Sequence, residues 1–160
     1  MEYSIEFGER LIEAADSFVS DTHPSDEVGR TVLYLSLLSC EITLKALLEK
    51  AGFSVNELTK RSHNLCGLVK DICCCELIGT GIGNSKPFSA SKLLAQQVVT
   101  NTSNGTVGTL LSAESVGASK YPNEIRYGEL INHFQPLVML SCAKVLSEWA
   151  KENMSCIKRK

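Results

Sequence analysis

Residues 27–51 read EVGRTVLYLSLLSCEITLKALLEKA, the longest run of helically spaced apolar residues in the chain. Apolar residues recur three and four positions apart, and the first half of the run is apolar on almost every side. A helix of this kind is buried by its neighbours, so the run predicts the central helix of a helical bundle. Ser25 or Asp26 can cap its N-terminus, and Gly52 can end it.

Two segments on either side of this helix also carry helical patterns. Apolar spacing predicts a first helix over residues 3–20, and Pro24 separates it from the central helix. Beyond the central helix, Ser54 and Glu57 form a capping-box pattern, which predicts a short helix over residues 54–60.

Two longer helices are predicted further along the chain. One covers residues 62–79, and the other covers residues 129–153. Pro136 lies inside the second of these, where a proline removes a backbone donor. Either the helix bends near Asn132, or its regular part begins near Gln135, because a proline is tolerated in the first turn.

The segment before the last helix differs in composition, since residues 80–120 are rich in Gly, Ser, Thr and Asn. Helical spacing returns only over residues 90–99, which we predict as one helix, and the remainder as loop. We predict one domain over residues 1–155, with an irregular insertion at 79–125 and a frayed basic tail at 156–160. The predicted fold class is all-α: an antiparallel up-and-down helical bundle of four to five helices with one long polar loop insertion.

The charge and the N-terminus limit the possible classes of protein. A net charge of −2 lacks the basic excess of nonspecific nucleic-acid-binding proteins, so RNA contact would need a local basic site or a groove between subunits. No run reaches the roughly 20 uninterrupted apolar residues that span a bilayer. The first residues, MEYS, are acidic and polar, unlike a signal peptide. We therefore predict a cytoplasmic protein with no membrane contact.

Seven cysteines are many for this length, and an odd number disfavours a disulfide scaffold. We predict reduced thiols packed as small apolar side chains. The run Cys73-Cys74-Cys75 suggests a metal site together with Cys66 and His63. Neighbours on a helix, however, point about 100° apart, and the chain has no Cys-x-x-Cys pair. We expect no metal and no other cofactor.

Three blocks of sequence occur in a familiar order. Residues 38–52 contain a Glu-x-x-x-Lys-Ala-Leu-Leu pattern that begins at Glu41. Residues 62–68 read SHNLCGL, and residues 121–128 read YPNEIRYG. These blocks resemble the second helix, the start of the third helix and the approach to the last helix of the HEPN family of four-helix-bundle proteins. The resemblance implies an antiparallel bundle that commonly forms a homodimer through its last helix.

The resemblance also implies a catalytic pair. Many HEPN proteins are metal-independent ribonucleases whose site is an Arg, four to six further residues and a His near the start of the last helix. Arg126 and His133 fit this pattern with six residues between them. Residues seven apart share one face of a helix, so the two side chains can serve one substrate. His133 would be the base for the 2′-hydroxyl, and Arg126 would bind the phosphate; alternatively, Arg126 has a structural role.

Four further residues are candidates for substrate binding or support. Tyr127 stands where the family often has a small polar residue, and it would stack on a base or donate a hydrogen bond. Glu41 and Lys45 form either a buried polar pair near the site, as the resemblance implies, or a surface ion pair. His63 is either a second acid or base or a residue that caps or joins helices.

Two functional classes follow from these observations. The first is a HEPN-like RNA-targeting protein, a metal-independent endoribonuclease acting as a toxin or defence effector and controlled by a nucleotidyltransferase-type antitoxin. The second is a non-catalytic dimerisation module that binds a nucleotide or a partner protein. The positions of Arg126 and His133 favour the first class, whereas the acidic composition and Tyr127 favour the second.

Overall fold

The computed structural model describes residues 1–19, 25–79, 87–101, 103–113, 121–127 and 135–160. The chain is mostly helical and carries two small sheets. The helices are α1 (Ile5–Ser17), α2 (Asp26–Ala51), α3 (Val55–Arg61), α4 (Leu65–Cys73), a 3₁₀ helix (Ala90–Ala95), α5 (Val107–Leu111), α6 (Asn123–Tyr127) and α7 (Pro136–Asn153). The strands are β1 (Cys75–Leu77), β2 (Phe88–Ser89), β3 (Gln97–Val99), β4 (Asn104–Thr106) and β5 (Ile157–Arg159).

Helix α2 is the centre of the fold, and it packs against α1, α4 and α7. The hydroxyl of Ser25 accepts a hydrogen bond from the backbone N–H of Val28 and caps the first turn. At the other end Gly52 has a φ of 108°, a left-handed conformation that favours glycine. Both predicted ends of the central helix are therefore confirmed. The apolar side chains that it buries completely include Leu44, Ala46, Leu47 and Leu48.

By length and composition alone, α2 would be able to cross a membrane. The core helix of a globular domain meets the same criteria, and most of α2 is buried by its neighbours. The apolar character of this helix is accounted for by the core that it forms.

The short third helix is confirmed together with its cap. The Ser54 hydroxyl accepts a hydrogen bond from the Glu57 backbone N–H at 3.3 Å, and the Glu57 carboxylate accepts one from the Ser54 backbone N–H at 2.8 Å. This reciprocal arrangement satisfies two backbone donors that a helix start leaves without partners. It fixes where α3 begins after α2.

The prediction of one long helix over residues 62–79 is wrong in its second half. Helix α4 ends at Cys73, and Cys75–Leu77 form β1 at the centre of an antiparallel sheet with the order β2-β1-β5. Helical and strand patterns are hard to distinguish over so short an apolar run, and here the strand partners determine the outcome. Cys75 and Leu77 are both buried on the same face of β1.

The prediction that residues 156–160 form a frayed tail is wrong. Ile157–Arg159 form β5, with Leu77 opposite Ile157 in the antiparallel register. Ile157 is buried in the core, and the backbone N–H of Lys160 donates to the carbonyl of Cys74. One buried isoleucine and a row of backbone hydrogen bonds hold this basic segment in place.

The single helix predicted over residues 90–99 is also wrong. The 3₁₀ helix covers only its first part, and Gln97–Val99 form β3, which pairs with β4. Val98 and Val99 are β-branched residues that suit a strand better than a helix. Because of these two sheets, the all-α prediction is correct only as a statement that the chain is mostly helical.

The last helix begins at Pro136, with Gln135 at its N-cap. This confirms the alternative in which the regular part of the helix starts near Gln135. Proline is tolerated at the first helical position because a backbone N–H there would have no partner within the helix. Residues 129–134 of the predicted helix lie outside the described residues. Helix α7 then packs along α2 and α1.

Candidate functional site

A buried carboxylate on α2 is the centre of the candidate site. Glu41 is 3% exposed and accepts three hydrogen bonds from three different parts of the chain. Lys45 Nζ donates to Oε1 at 2.7 Å, while His63 Nδ1 and Tyr121 Oη each lie 2.9 Å from Oε2. Each of the three donors replaces a hydrogen bond that the carboxylate would make to water, and this offsets part of the cost of burying it.

Lys45 neutralises this carboxylate from the next turn of the same helix. It is buried as well, and its ammonium lies 5.3 Å from the centroid of the Tyr3 ring. Of the two alternatives for Glu41 and Lys45, the structure therefore has the buried ion pair. A buried pair costs desolvation energy that apolar packing would avoid, so stability alone is a weak reason for its presence.

Tyr121, which is distant from Glu41 in the sequence, donates the third hydrogen bond to the carboxylate. It is buried just before α6, and burial, followed by the negative charge of Glu41, raises its pKa well above the usual range. The hydroxyl therefore remains protonated and donates to Glu41 across the physiological pH range. Apart from its place in the YPNEIRYG block, no sequence pattern marks Tyr121 as a functional residue.

The turn between α3 and α4 positions His63. Ser62 has a positive φ of 49°, and the side-chain oxygen of Asn64 accepts from the Gly67 N–H and caps α4. Between these two residues the His63 side chain is 42% exposed, and its ring stands edge-on to Tyr121 with the centroids 5.8 Å apart. With a proton on Nδ1, the ring donates to the Glu41 carboxylate, and Nε2 is the second ring nitrogen that can contact another molecule.

The exposed edge of His63 faces an open cleft of about 750 Å³. The cleft lies between the α3–α4 turn, the first turns of α4 and the segment that leads into α6. Its wall consists of Arg61, Ser62, His63, Asn64, Cys66, Gly67, Lys70, Tyr121, Pro122 and Asn123. A volume of this size is in the range of clefts that bind small molecules or parts of larger ones.

Arg126 is connected to the same centre through two tyrosines. Its Nη2 and Nε donate to the hydroxyl of Tyr34 at 2.6 Å and 3.1 Å. The Tyr34 ring in turn lies 6.0 Å from the Tyr121 ring, centroid to centroid. Aromatic and hydrogen-bond contacts thus run without a break from Arg126 to Glu41.

Arg30 on α2 holds the segment that carries Arg126. Its guanidinium donates to the carbonyl of Ile125 at 2.9 Å and to the carbonyl of Arg126 at 3.3 Å, and it also pairs with Glu27. The carbonyls at a helix C-terminus lack intrahelical donors, so an arginine is a suitable partner for them. A smaller cavity of about 230 Å³ lies at this contact.

Four of the six predicted site residues are therefore in one network: Glu41, Lys45, His63 and Arg126. His133 and the side chain of Tyr127 lie outside the described residues. Sequence reasoning missed Tyr34, Tyr121 and Arg30. For Tyr34 a signal existed, because it precedes Glu41 by seven residues and hence shares its face of α2.

Metal ligands do not form a cluster in this part of the molecule. Among the residues that the structure describes, no group of three or more His, Cys, Asp or Glu side chains is placed to hold an ion. The three adjacent cysteines diverge: Cys74 is exposed, Cys75 is buried and Cys73 is intermediate. All seven cysteines are free thiols.

Comparison of the chain with models of protein families, with characterised proteins and with solved structures found no match. The function must therefore be inferred from the chemistry of the site.

Proposed function

We propose that this chain is a HEPN-like RNA-targeting protein, a metal-independent endoribonuclease of the toxin or defence-effector type. The observation that carries the proposal is the 2.9 Å hydrogen bond between the buried Glu41 carboxylate and Nδ1 of His63. It orients a half-exposed histidine at the edge of an open cleft, with Nε2 available to exchange a proton. Carboxylate-oriented histidines of this kind serve as general acids and bases.

RNA cleavage without a metal needs only groups of the kinds found here. A base removes the proton of the 2′-hydroxyl, and this oxygen forms a bond to the adjacent phosphorus while the bond to the 5′-oxygen breaks. An acid supplies the proton to the leaving 5′-oxygen, and the product is a 2′,3′-cyclic phosphate. His63 takes one of these proton transfers, and the resemblance assigns the other to His133.

Arg126 supplies the cation that the charged transition state needs. A guanidinium can bind two phosphate oxygens at once, and its charge does not depend on pH. Tyr34 holds Nε and Nη2 of Arg126 in one orientation. Tyr121 and Glu41 connect this group to His63, so the two proposed catalytic side chains rest on one support.

The finer features of the fold and assembly belong to the same proposal. The packing of α2 against α1, α4 and α7 supports an up-and-down bundle of the HEPN type. We propose a homodimer through α7, and Leu137 at the start of α7 is 50% exposed, as an interface residue would be in the isolated chain. A nucleotidyltransferase-type antitoxin is the proposed partner, and the cytoplasm is the proposed location.

Cleavage of RNA in the presence of EDTA tests the proposal. We expect the purified chain to release fragments that end in 2′,3′-cyclic phosphate. His63→Asn retains an N–H for Glu41 but cannot transfer a proton, so cleavage should fall at least about 100-fold. Arg126→Ala should reduce cleavage similarly, whereas Arg10→Ala, a change at an exposed arginine on α1, should have no effect. If the folded wild-type chain cleaves no RNA, the enzymatic proposal is wrong.

A second candidate is a non-catalytic module that binds a nucleotide. The 750 Å³ cleft favours it, because a cleft of this size can bind a small polar molecule without any chemistry. Calorimetric titration with adenosine monophosphate separates the two candidates. Binding that is lost in His63→Asn, combined with no cleavage of RNA, would support the module.

A further inference from the structure

The described part of the wall of the cleft beside His63 carries basic side chains. No described residue in its wall is Asp or Glu, whereas Arg61, His63 and Lys70 are basic. The chain as a whole has a net charge of −2, so this wall departs from the average of the protein. An acidic protein that binds RNA needs such a local basic site, because the phosphates of RNA supply most of the binding energy.

The two long cations of this wall differ in how their charge is balanced. Arg61 donates from Nε and Nη2 to the Asp71 carboxylate at 2.6 Å and 2.8 Å, and this pairing offsets much of its charge. Lys70 is exposed on α4, and its ammonium pairs with no carboxylate in the described part of the chain. The net positive charge of the wall therefore lies mainly at Lys70.

We infer that Lys70 binds a backbone phosphate of single-stranded RNA in this cleft, next to the nucleotide that His63 contacts. The inference rests on the proposed function and adds a phosphate subsite to it. Lys70 and His63 line the same cleft, so neighbouring nucleotides of one strand can contact both of them. An ammonium on a flexible stem suits a phosphate as a point charge.

A single strand fits the rest of the wall better than a duplex does. Asn64 and Asn123 line the cleft, and the amide oxygen of Asn64 already accepts from the Gly67 N–H. The Asn64 amide nitrogen and the Asn123 amide are thus neutral polar groups of the kind that hydrogen-bond to the exposed edges of unpaired bases. Duplex RNA turns those edges inward and is bound mostly along its backbone and 2′-hydroxyls. The cleft thus offers one cation for a phosphate and neutral polar groups for a base.

Fluorescence anisotropy with a short, labelled 2′-O-methyl oligonucleotide tests the subsite without any cleavage, because this strand has no free 2′-hydroxyl. We expect Lys70→Ala to weaken binding about tenfold at low salt and Lys70→Glu to weaken it further. The slope of log K against log salt should become shallower by about 0.7, the value for one phosphate contact on a single strand. Lys60→Ala and Lys60→Glu are matched controls, since Lys60 is exposed on α3 outside the cleft and should leave both quantities unchanged.

Two results would overturn the subsite. One is wild-type affinity and an unchanged salt slope for Lys70→Glu, with unaltered circular dichroism. The other is an equal loss of affinity in the Lys60 variants, which would indicate nonspecific attraction only. Absence of cleavage together with Lys70-dependent binding supports the subsite and contradicts the enzyme. Cleavage that needs His63 together with Lys70-independent binding supports the enzyme and contradicts the subsite.

Discussion

At the scale of single residues, Glu41 has the largest influence on the site. Its carboxylate is the common acceptor for Lys45, His63 and Tyr121, three donors that approach from separate parts of the chain. Any change at Glu41 therefore affects both stability and the orientation of His63. The buried ammonium of Lys45 makes the stability effect large, because a buried charge without its partner keeps its full desolvation cost.

We expect Glu41→Gln to lower the free energy of unfolding by about 3–5 kcal/mol, as measured by urea denaturation. The amide retains the shape and one acceptor but leaves the ammonium of Lys45 unpaired. The double variant Glu41→Gln with Lys45→Met should recover part of this loss, since a neutral pair carries no unpaired charge. Glu13→Gln is the control, because Glu13 is an exposed partner of Arg10. Equal stability of the two single variants would contradict a charged Glu41–Lys45 pair.

Some residues of the site can be predicted from the sequence, and others cannot. Glu41, Lys45, His63 and Arg126 were identified because they stand in short patterns along the chain. Tyr121 was not identified, because its role depends on a contact with Glu41, which is 80 positions away. A tyrosine has no local pattern that distinguishes a core residue from a site residue. Only the folded chain shows which carboxylate its hydroxyl contacts.

At the scale of elements, the contact between α1 and α2 is unusually close at Gly8. A Cβ at this position would lie 2.7 Å from Oγ1 of Thr43 and 3.5 Å from the carbonyl of Ser39. The hydroxyl of Ser39 on α2 donates to the Gly8 carbonyl at 2.8 Å, so a side chain of one helix is also hydrogen-bonded to the backbone of the other. Glycine at this position permits the approach of the two helices.

Gly8→Ala should therefore destabilise the chain by about 1–3 kcal/mol, since the added methyl group forces the helices apart. The double variant with Thr43→Ala should recover much of the loss, because it removes the nearest atom. Gly29→Ala is a matched change within a helix whose nearest neighbour is Pro136 Cγ at 3.4 Å, and we expect it to be tolerated. Thermal unfolding of the four proteins measures these effects. A stabilised Gly8→Ala would show that the helices are not in tight contact.

Glu57 connects α3 to β5 and gives this connection a pH dependence. The backbone N–H and side chain of Ser54, followed by Arg159, lower the Glu57 pKa to about 2 from an ordinary value of 4.5. The folded state thus holds this proton less tightly than the unfolded state does. The resulting stability is present above pH 4.5 and is lost as the pH falls toward 2.

We expect Glu57→Gln to make stability fall less steeply between pH 4.5 and 2 than it does in the wild type, measured by urea denaturation at each pH. The variant loses the pH-dependent part of the cap and of the contact with Arg159. Glu13→Gln is the control, because within the described part of the chain the ion pair of Glu13 is with Arg10, an exposed arginine on its own helix. Parallel curves for wild type and Glu57→Gln would contradict this expectation.

At the scale of the whole molecule, local patterns predicted the helices and missed the sheets. Helix α2 and the capped α3 were predicted because their signals lie within a few neighbouring residues. Strand β1 has only three residues and lies in the middle of the chain, whereas one of its partners, β5, lies near the C-terminus. Pairing over such a separation leaves no periodic trace in either segment. For the same reason, the sequence predicted a basic tail where the structure has the strand β5.

The three hydrogen bonds that Glu41 accepts determine when the site can form during protein synthesis. The donors lie between α2 and Tyr121 in the sequence. When only the first hundred residues or so have left the ribosome, Tyr121 has not yet been made and cannot donate to Glu41. A nascent chain at that stage carries His63 but not the completed support around it. On the proposed function, RNA near the ribosome is therefore exposed to the competent site only after most of the chain has been made.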